Sequence, residues 1–160
     1  MIVILLVSLS CIGCDQTSKH IASEHLQRNT MTSHLNDTFR IGYTENRGAF
    51  LGMGKNLPSQ VRYLIFTVFV GLLLTAFLIY LVFSQTLNTY TLVALSLIFA
   101  GGASNLFDRA VNNGEVVDFL NVGVGPLRTG IFNVADVADV AILVGALLFL
   151  FASCFWTEPE

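Results

Sequence analysis

Charged side chains are scarce in this sequence of 160 residues, where Asp, Glu, Lys and Arg together make up 12% and hydrophobic residues 54%. A soluble domain usually carries about 25% charged residues, so roughly half of the expected charge is missing. That deficit indicates a surface that faces lipid, and the length fits one domain over residues 1–160. The net charge is only −3 and the basic residues form no run, so nucleic acid is not an expected partner.

Cysteine is also rare, and the three residues Cys11, Cys14 and Cys154 all lie in apolar stretches. An odd number in such positions does not make a disulfide framework, and no βαβ pattern surrounds the Cys11–Cys14 spacing. The three histidines fit no metal-binding spacing. Phosphate-loop, dinucleotide and G-x-S-x-G motifs are missing as well. The sequence therefore implies neither a metal nor an organic cofactor.

Four hydrophobic segments approach the roughly 20 residues that a membrane-spanning helix needs. We predict an all-α integral membrane protein with four transmembrane helices at about residues 2–21, 61–83, 90–107 and 137–156. The first segment reaches that length only if its helix continues through Asp15 and Lys19. A secretory signal or a lipoprotein cleavage box at Cys14 is the alternative, although residues 1–14 contain no Lys or Arg to form a positive start.

The connections between these helices alternate in length. Residues 22–60 and 108–136 are long, whereas residues 84–89 are short, so both long connections fall on one side of the membrane and both termini on the other. Alternating residues at 38–44 predict a strand, and hence a small β-containing cradle outside the membrane between helices one and two. All eight Lys and Arg residues lie on the long-loop side or at its boundary. The positive-inside rule would place that side in the cytoplasm.

Charged residues at membrane depth are costly and are candidates for function. Asp15 and Lys19 are four residues apart, so on a helix they share one face and can pair, either to neutralise each other or to support a site. Asn105, Asp108 and Arg109 lie one turn apart at the mouth of helix three. A plain Asp108–Arg109 ion pair is the alternative to a role at a site.

Two further acids lie beside apolar residues. Asp118 interrupts an apolar stretch in the second long loop, and Asp136 opens helix four, where it could be a simple helix cap. If the two carboxyls meet, they cannot both ionise cheaply and would share a proton. One could then act as general base and the other as general acid.

Five segments, taken in order, resemble the bacterial lipoprotein signal peptidase family, also called signal peptidase II. The resemblance covers nearly the whole chain, and the five motifs in order are more specific than any one of them. The segments are DQTSK at 15–19, NRGAF at 46–50, GGASNLFDR at 101–109, VVDF at 116–119 and FNVAD at 132–136.

The resemblance implies an aspartyl endopeptidase that removes signal peptides from prolipoproteins, cutting before a diacylglyceryl-modified cysteine. It implies a multi-pass protein of the bacterial inner membrane with cytoplasmic termini and a site near the outer face, which conflicts with the positive-inside rule. Membrane lipids and prolipoproteins are the implied partners, and a monomer is expected. By motif position the catalytic pair would be Asp118 and Asp136; substrate binding and support would come from Asn105, Asp108, Arg109, Asn133, Asn46, Gly48, Asp15 and Lys19.

The chain departs from the family pattern at Ser104, where the family usually has glycine, and in a near-repeat around the second acid. Val134-Ala135-Asp136 is followed directly by Val137-Ala138-Asp139. Matching forward from Phe132 and Asn133 selects Asp136, which we predict, whereas matching backward from residues 141–143 selects Asp139, which stays in reserve. The functional alternatives are a small non-enzymatic transporter or a subunit that binds prolipoproteins without cutting them.

Overall fold

The computed structural model describes residues 1–48, 53–123 and 136–155. Four of its helical segments are long and apolar enough to cross a membrane. They are α1 (Ile2–His25), a second span built from α2 (Ser59–Tyr63), a π-helical segment (Leu64–Phe69) and α3 (Val70–Phe83), then α4 (Thr89–Val111) and α5 (Val137–Phe155). The predicted four-span architecture is therefore confirmed.

Polar residues near the ends of two spans remain helical. α1 continues through Asp15 and Lys19 to His25, as a membrane span requires, and α4 continues past residue 107 to Val111. Hydropathy alone ends both spans too early, because it treats these polar residues as loop. Asp15, Lys19 and Asp108 are accommodated in these helices because their side chains find partners inside the bundle.

α4 lies at the centre of the bundle and packs against α1, α3 and α5. Its closest neighbour is α5, because glycines on both helices remove side chains from their seam. A Cβ at Gly101 would meet the Ala138 carbonyl oxygen, and one at Gly145 would lie 2.6 Å from the Ala94 oxygen. Small residues that let backbones approach are the usual packing device between membrane helices.

Three antiparallel strands lie beyond the helices in the order β1 (Met31–His34), β2 (Phe39–Asn46) and β3 (Val116–Val122). β2 confirms the predicted strand at 38–44. β3 corrects the prediction that Asp118 lies in a loop, since Thr44 of β2 pairs directly with Asp118. The sheet therefore joins the two long connections and fixes Asp118 at the end of the bundle where α1 and α4 end.

Candidate active site

Five carboxyl groups from four separate parts of the chain converge at this end of the bundle. Four of them are at most 2% exposed, and the fifth is partly buried. Burial on this scale is unusual for aspartates unless they are paired. The five are Asp15 of α1, Asp108 of α4, Asp118 of β3, Asp136 directly before α5, and Asp139 in the first turn of α5.

Lys19 lies among these acids and is itself only 4% exposed. Its Nζ is 2.8 Å from a carboxylate oxygen of Asp15, 2.8 Å from Asp108 and 2.6 Å from Asp136. It also donates to the Asn105 side-chain oxygen at 3.0 Å. The predicted Asp15–Lys19 pairing is confirmed. The contacts with Asp108 and Asp136 join parts of the chain that are distant in sequence, so helical spacing could not predict them.

Asp15 is held by donors from two other helices. Ser104 Oγ donates to its Oδ2 at 2.7 Å, and the Ala138 amide donates to its Oδ1 at 2.9 Å. Gln16 then links the neighbouring groups, since its side-chain amide donates to Ser104 Oγ at 3.0 Å and to Asp108 Oδ1 at 2.8 Å. The sequence did not single out Gln16. Ser104, noted only as a departure from the family, proves to be part of the acid network.

Asp108 and Arg109 take different partners although they are adjacent. Asp108 accepts from Lys19, from Gln16 and from the Val117 amide at 3.2 Å. Arg109 donates to the Gly48 carbonyl at 2.6 Å and to the Gly114 carbonyl at 3.0 Å. The contacts described for these two residues therefore do not support the alternative of a plain Asp108–Arg109 ion pair.

Asp118 is 1% exposed, and its Oδ2 has no hydrogen-bond partner among the described residues. Burial raises the pKa of this carboxyl to about 8, with Asp136 and Asp139 adding to the rise and a hydrogen bond from Asn46 opposing it. The Asn46 side chain also accepts from the Gly48 amide at 2.9 Å, which stabilises a local turn. Asn46 and Gly48 thus bring the sheet to the site.

Asp136 is the N-cap of α5, since its Oδ1 accepts from the Asp139 amide at 2.7 Å. Its other oxygen contacts Lys19. Burial raises the pKa of the Asp136 carboxyl, and the Lys19 ammonium works against that rise. A capping role and a role in a carboxyl pair are therefore compatible for this residue.

Asp139 lies near Asp118 as well, because carboxylate oxygens of Asp118, Asp136 and Asp139 are all within 4.8 Å of one another. Asn105 donates to Asp139 at 3.2 Å. Asp139 also lines a cavity of about 410 Å³ together with Asn105 and Arg109. The reserve candidate is thus part of the cluster. Asn133 lies outside the described residues.

Carboxyls this close can share a proton and divide the roles of general acid and general base. Three carboxylate oxygens are also ligands that a hard divalent cation accepts. The cluster is compatible both with proton transfer and with binding of a divalent cation. The Asp118 oxygen that lacks a hydrogen bond and the buried Lys19 ammonium are the features that proton transfer would use.

The fold and the cluster define a small four-span membrane protein with a polar site at one end of its helices. The family model for signal peptidase (SPase) II matches residues 7–155. The chain therefore belongs to the signal peptidase II family, as the five sequence motifs predicted.

Relatives and solved structures agree with this assignment. The chain is 30% identical over 160 residues to the lipoprotein signal peptidase of Syntrophus aciditrophicus, covering 100% of this chain and 96% of the relative. It is 34% identical over 137 residues to that of Thermodesulfovibrio yellowstonii, covering 86% and 84%. A bacterial membrane enzyme solved by the in meso method at 2.3 Å has a similar structure, with a TM-score of 0.77 at 25% identity, covering 98% of this chain and 93% of that one.

Proposed function

We propose that the chain is an aspartyl endopeptidase that removes signal peptides from prolipoproteins, cutting before the diacylglyceryl-modified cysteine. The observation that carries the proposal is the buried carboxyl cluster, with oxygens of Asp118 and Asp136 within 4.8 Å, in a member of the signal peptidase II family. Two carboxyls at this separation can hold one proton between them.

Asp118 and Asp136 are the proposed catalytic pair, and their surroundings differ in a way that divides the roles. Asp118 has a pKa of about 8 and carries the proton at neutral pH. Asp136 contacts Lys19 at 2.6 Å, which favours its ionised form. Asp136 therefore acts as the general base on a water molecule and Asp118 as the general acid.

The proposed reaction is hydrolysis of one peptide bond. Asp136 takes a proton from water as the oxygen attacks the scissile carbonyl carbon. The C–N bond then breaks, and the Asp118 proton passes to the leaving nitrogen. Transfer of the proton from Asp136 to Asp118 restores the starting state. Asp139 remains the alternative to Asp136, because its carboxylate also lies within 4.8 Å of that of Asp118.

The other candidate residues have supporting roles in this proposal. Arg109 and Asn105 line the cavity, and we propose that they donate to substrate carbonyls. Asn133 is proposed to help them. Asp15, Lys19 and Asp108 hold the cluster together, and Asn46 and Gly48 position the sheet. The protein is proposed to act as a monomer.

We further propose a multi-pass protein of the bacterial inner membrane, in contact with membrane lipids, whose site faces the outer side. The positive-inside rule favours the opposite orientation. The two orientations are distinguished by introducing a cysteine at the exposed position of Lys55. Intact cells are then treated with a membrane-impermeant thiol reagent. Labelling supports the proposed orientation, whereas protection that disappears on permeabilisation contradicts it.

The activity is tested with purified protein in detergent and a diacylglyceryl-modified prolipoprotein. The wild type should cleave it, and Asp118→Asn should lower the rate by about 10²–10⁴-fold. The matched control is Asp37→Asn, which changes a surface acid with 48% side-chain exposure and should leave cleavage unchanged. Cleavage should also persist with a chelator present. If wild type binds the substrate without cutting it, or does neither, the enzyme proposal fails in favour of a prolipoprotein-binding subunit or a transporter.

A further inference from the structure

The second span differs from the other described spans in its helical geometry. Leu64–Phe69 forms a π-helical segment between α2 and α3, whereas α1, α4 and α5 are α-helical throughout. A π turn changes the direction in which the side chains around it point, and such turns frequently occur at functional sites. The aromatic residue in the middle of this segment is Phe66.

Phe66 is held on two sides by groups from other parts of the chain. The Arg109 guanidinium carbon lies over its ring, 5.4 Å from the ring centroid, which is a cation–π arrangement. Gly54 approaches the ring closely, since a Cβ at that position would lie 2.7 Å from the Phe66 Cζ atom. Gly54 also has a φ of +75°, which favours glycine. The ring therefore has a defined position.

The same ring lines the cavity of about 410 Å³ that contains Asp139. One part of this cavity is polar, with Asn105, Arg109 and Asp139. The rest is apolar and includes Phe66, Val70 and Leu143. A chain segment bound here would place polar backbone near the carboxyls and apolar side chains against the ring.

We propose that Phe66 is a specificity-determining residue whose ring contacts the apolar side chains of the substrate next to the scissile bond. The inference rests on the proposed function and adds to it a surface that determines substrate specificity. An aromatic ring supplies a large, rigid contact area. Its position between Gly54 and Arg109 limits the volume available to those side chains.

The test is a steady-state cleavage assay with Phe66→Ala and a panel of lipid-modified substrates that differ in the size of the apolar residue before the cysteine. Removing the ring enlarges the cavity, so kcat/KM should fall about 10–200-fold for small residues. The loss should be much smaller for bulky residues, which fill the vacated space. Phe66→Tyr should keep the wild-type preference.

The matched control is Phe69→Ala, in the same π segment. Phe69 is 55% exposed and should leave the preference unchanged. An equal loss across the panel, or a loss matched by Phe69→Ala, would overturn the proposal, since it would indicate a structural role. If Phe66→Ala does not fold, Phe66→Leu and Gly54→Ala are tested instead, because each changes the shape of the cavity near residue 66 without removing the whole side chain. An unchanged substrate preference in both variants refutes the inference. Absence of cleavage by wild type would instead refute the proposed function.

Discussion

Lys19→Met removes the cation that lies among the buried acids, and it should weaken the fold in a pH-dependent way. The Lys19 side chain is 4% exposed and its ammonium is within 2.8 Å of three carboxylates. Methionine keeps most of the side-chain volume, so a packing defect is small. What remains is the electrostatic effect of leaving Asp15, Asp108 and Asp136 without their shared partner.

The size of the effect follows from burial. Removing one member of a buried ion pair typically costs about 3–5 kcal/mol, because the other charge stays buried without compensation. Three carboxylates are involved here, but a buried acid can take up a proton and become neutral, which limits the loss. We therefore expect a loss of about 3–5 kcal/mol in the free energy of unfolding at neutral pH.

The pH dependence has a definite sign. Burial raises the pKa of Asp136, and the variant lacks the Lys19 cation that opposes this rise, so the folded variant binds a proton at Asp136 more readily than the unfolded chain does. The stability of the variant, relative to wild type, should then rise as the pH falls. The deficit is largest at pH 7 and above and shrinks towards pH 4.

Reversible unfolding in mixed micelles at several pH values measures this deficit. Lys55→Met is the matched control, since Lys55 is exposed and should cost less than about 0.5 kcal/mol at every pH. Combining Lys19→Met with Asp108→Asn should recover part of the loss, because one uncompensated charge disappears. A deficit equal to that of Lys55→Met, or one that grows on acidification, would refute the reasoning.

Three other outcomes are expected. The pKa of about 8 at Asp118 implies that wild-type kcat/KM falls above about pH 8, as the general acid loses its proton; a profile flat to pH 10 would contradict this role. Asp136→Asn should abolish cleavage, and Asp139→Asn should reduce it less. Full activity in Asp136→Asn would instead identify Asp118 and Asp139 as the catalytic pair. Gly101→Ala should destabilise the bundle by about 1–3 kcal/mol in a thermal unfolding assay, because its Cβ meets a backbone carbonyl of α5. Gly13→Ala, with nothing within 4 Å of its Cβ, should be neutral.

Hydropathy and local spacing predicted those parts of the structure that depend on neighbours in sequence. The four spans follow from apolar length, and the pairing of Asp15 with Lys19 follows from helical spacing. The end of α4 was placed too early because Asp108 counts as polar in a hydropathy profile, whereas it is buried against Lys19 and Gln16. Such long-range partners are invisible to local patterns.

The strand at Asp118 and the π segment around Phe66 show a second limit of prediction from the sequence. β3 forms only because β2, about 70 residues earlier, offers a pairing edge, so the apolar run at 116–122 could not be distinguished from a loop by its own pattern. The π segment is apolar throughout and resembles any other part of a span. Its role depends on Gly54 and Arg109, which lie in other parts of the chain.

The number of acids at the site explains why one lysine matters so much. Five carboxyls converge, and Lys19 is the cation in direct contact with three of them. Full ionisation of all five would leave buried negative charge without compensation, which low dielectric surroundings penalise strongly.

The hydrogen-bond donors around the acids indicate where protons are retained. Asp15 and Asp108 each accept from Lys19 and from two other donors, so their carboxylate oxygens are well supplied with partners. The Oδ2 atoms of Asp118 and Asp136 both lack a hydrogen bond among the described residues, but that of Asp136 lies 2.6 Å from the Lys19 ammonium. Protonation is therefore least costly at Asp118. The near-repeat that adds Asp139 beside it increases the local negative charge and so strengthens the retention of a proton where the proposed chemistry needs one.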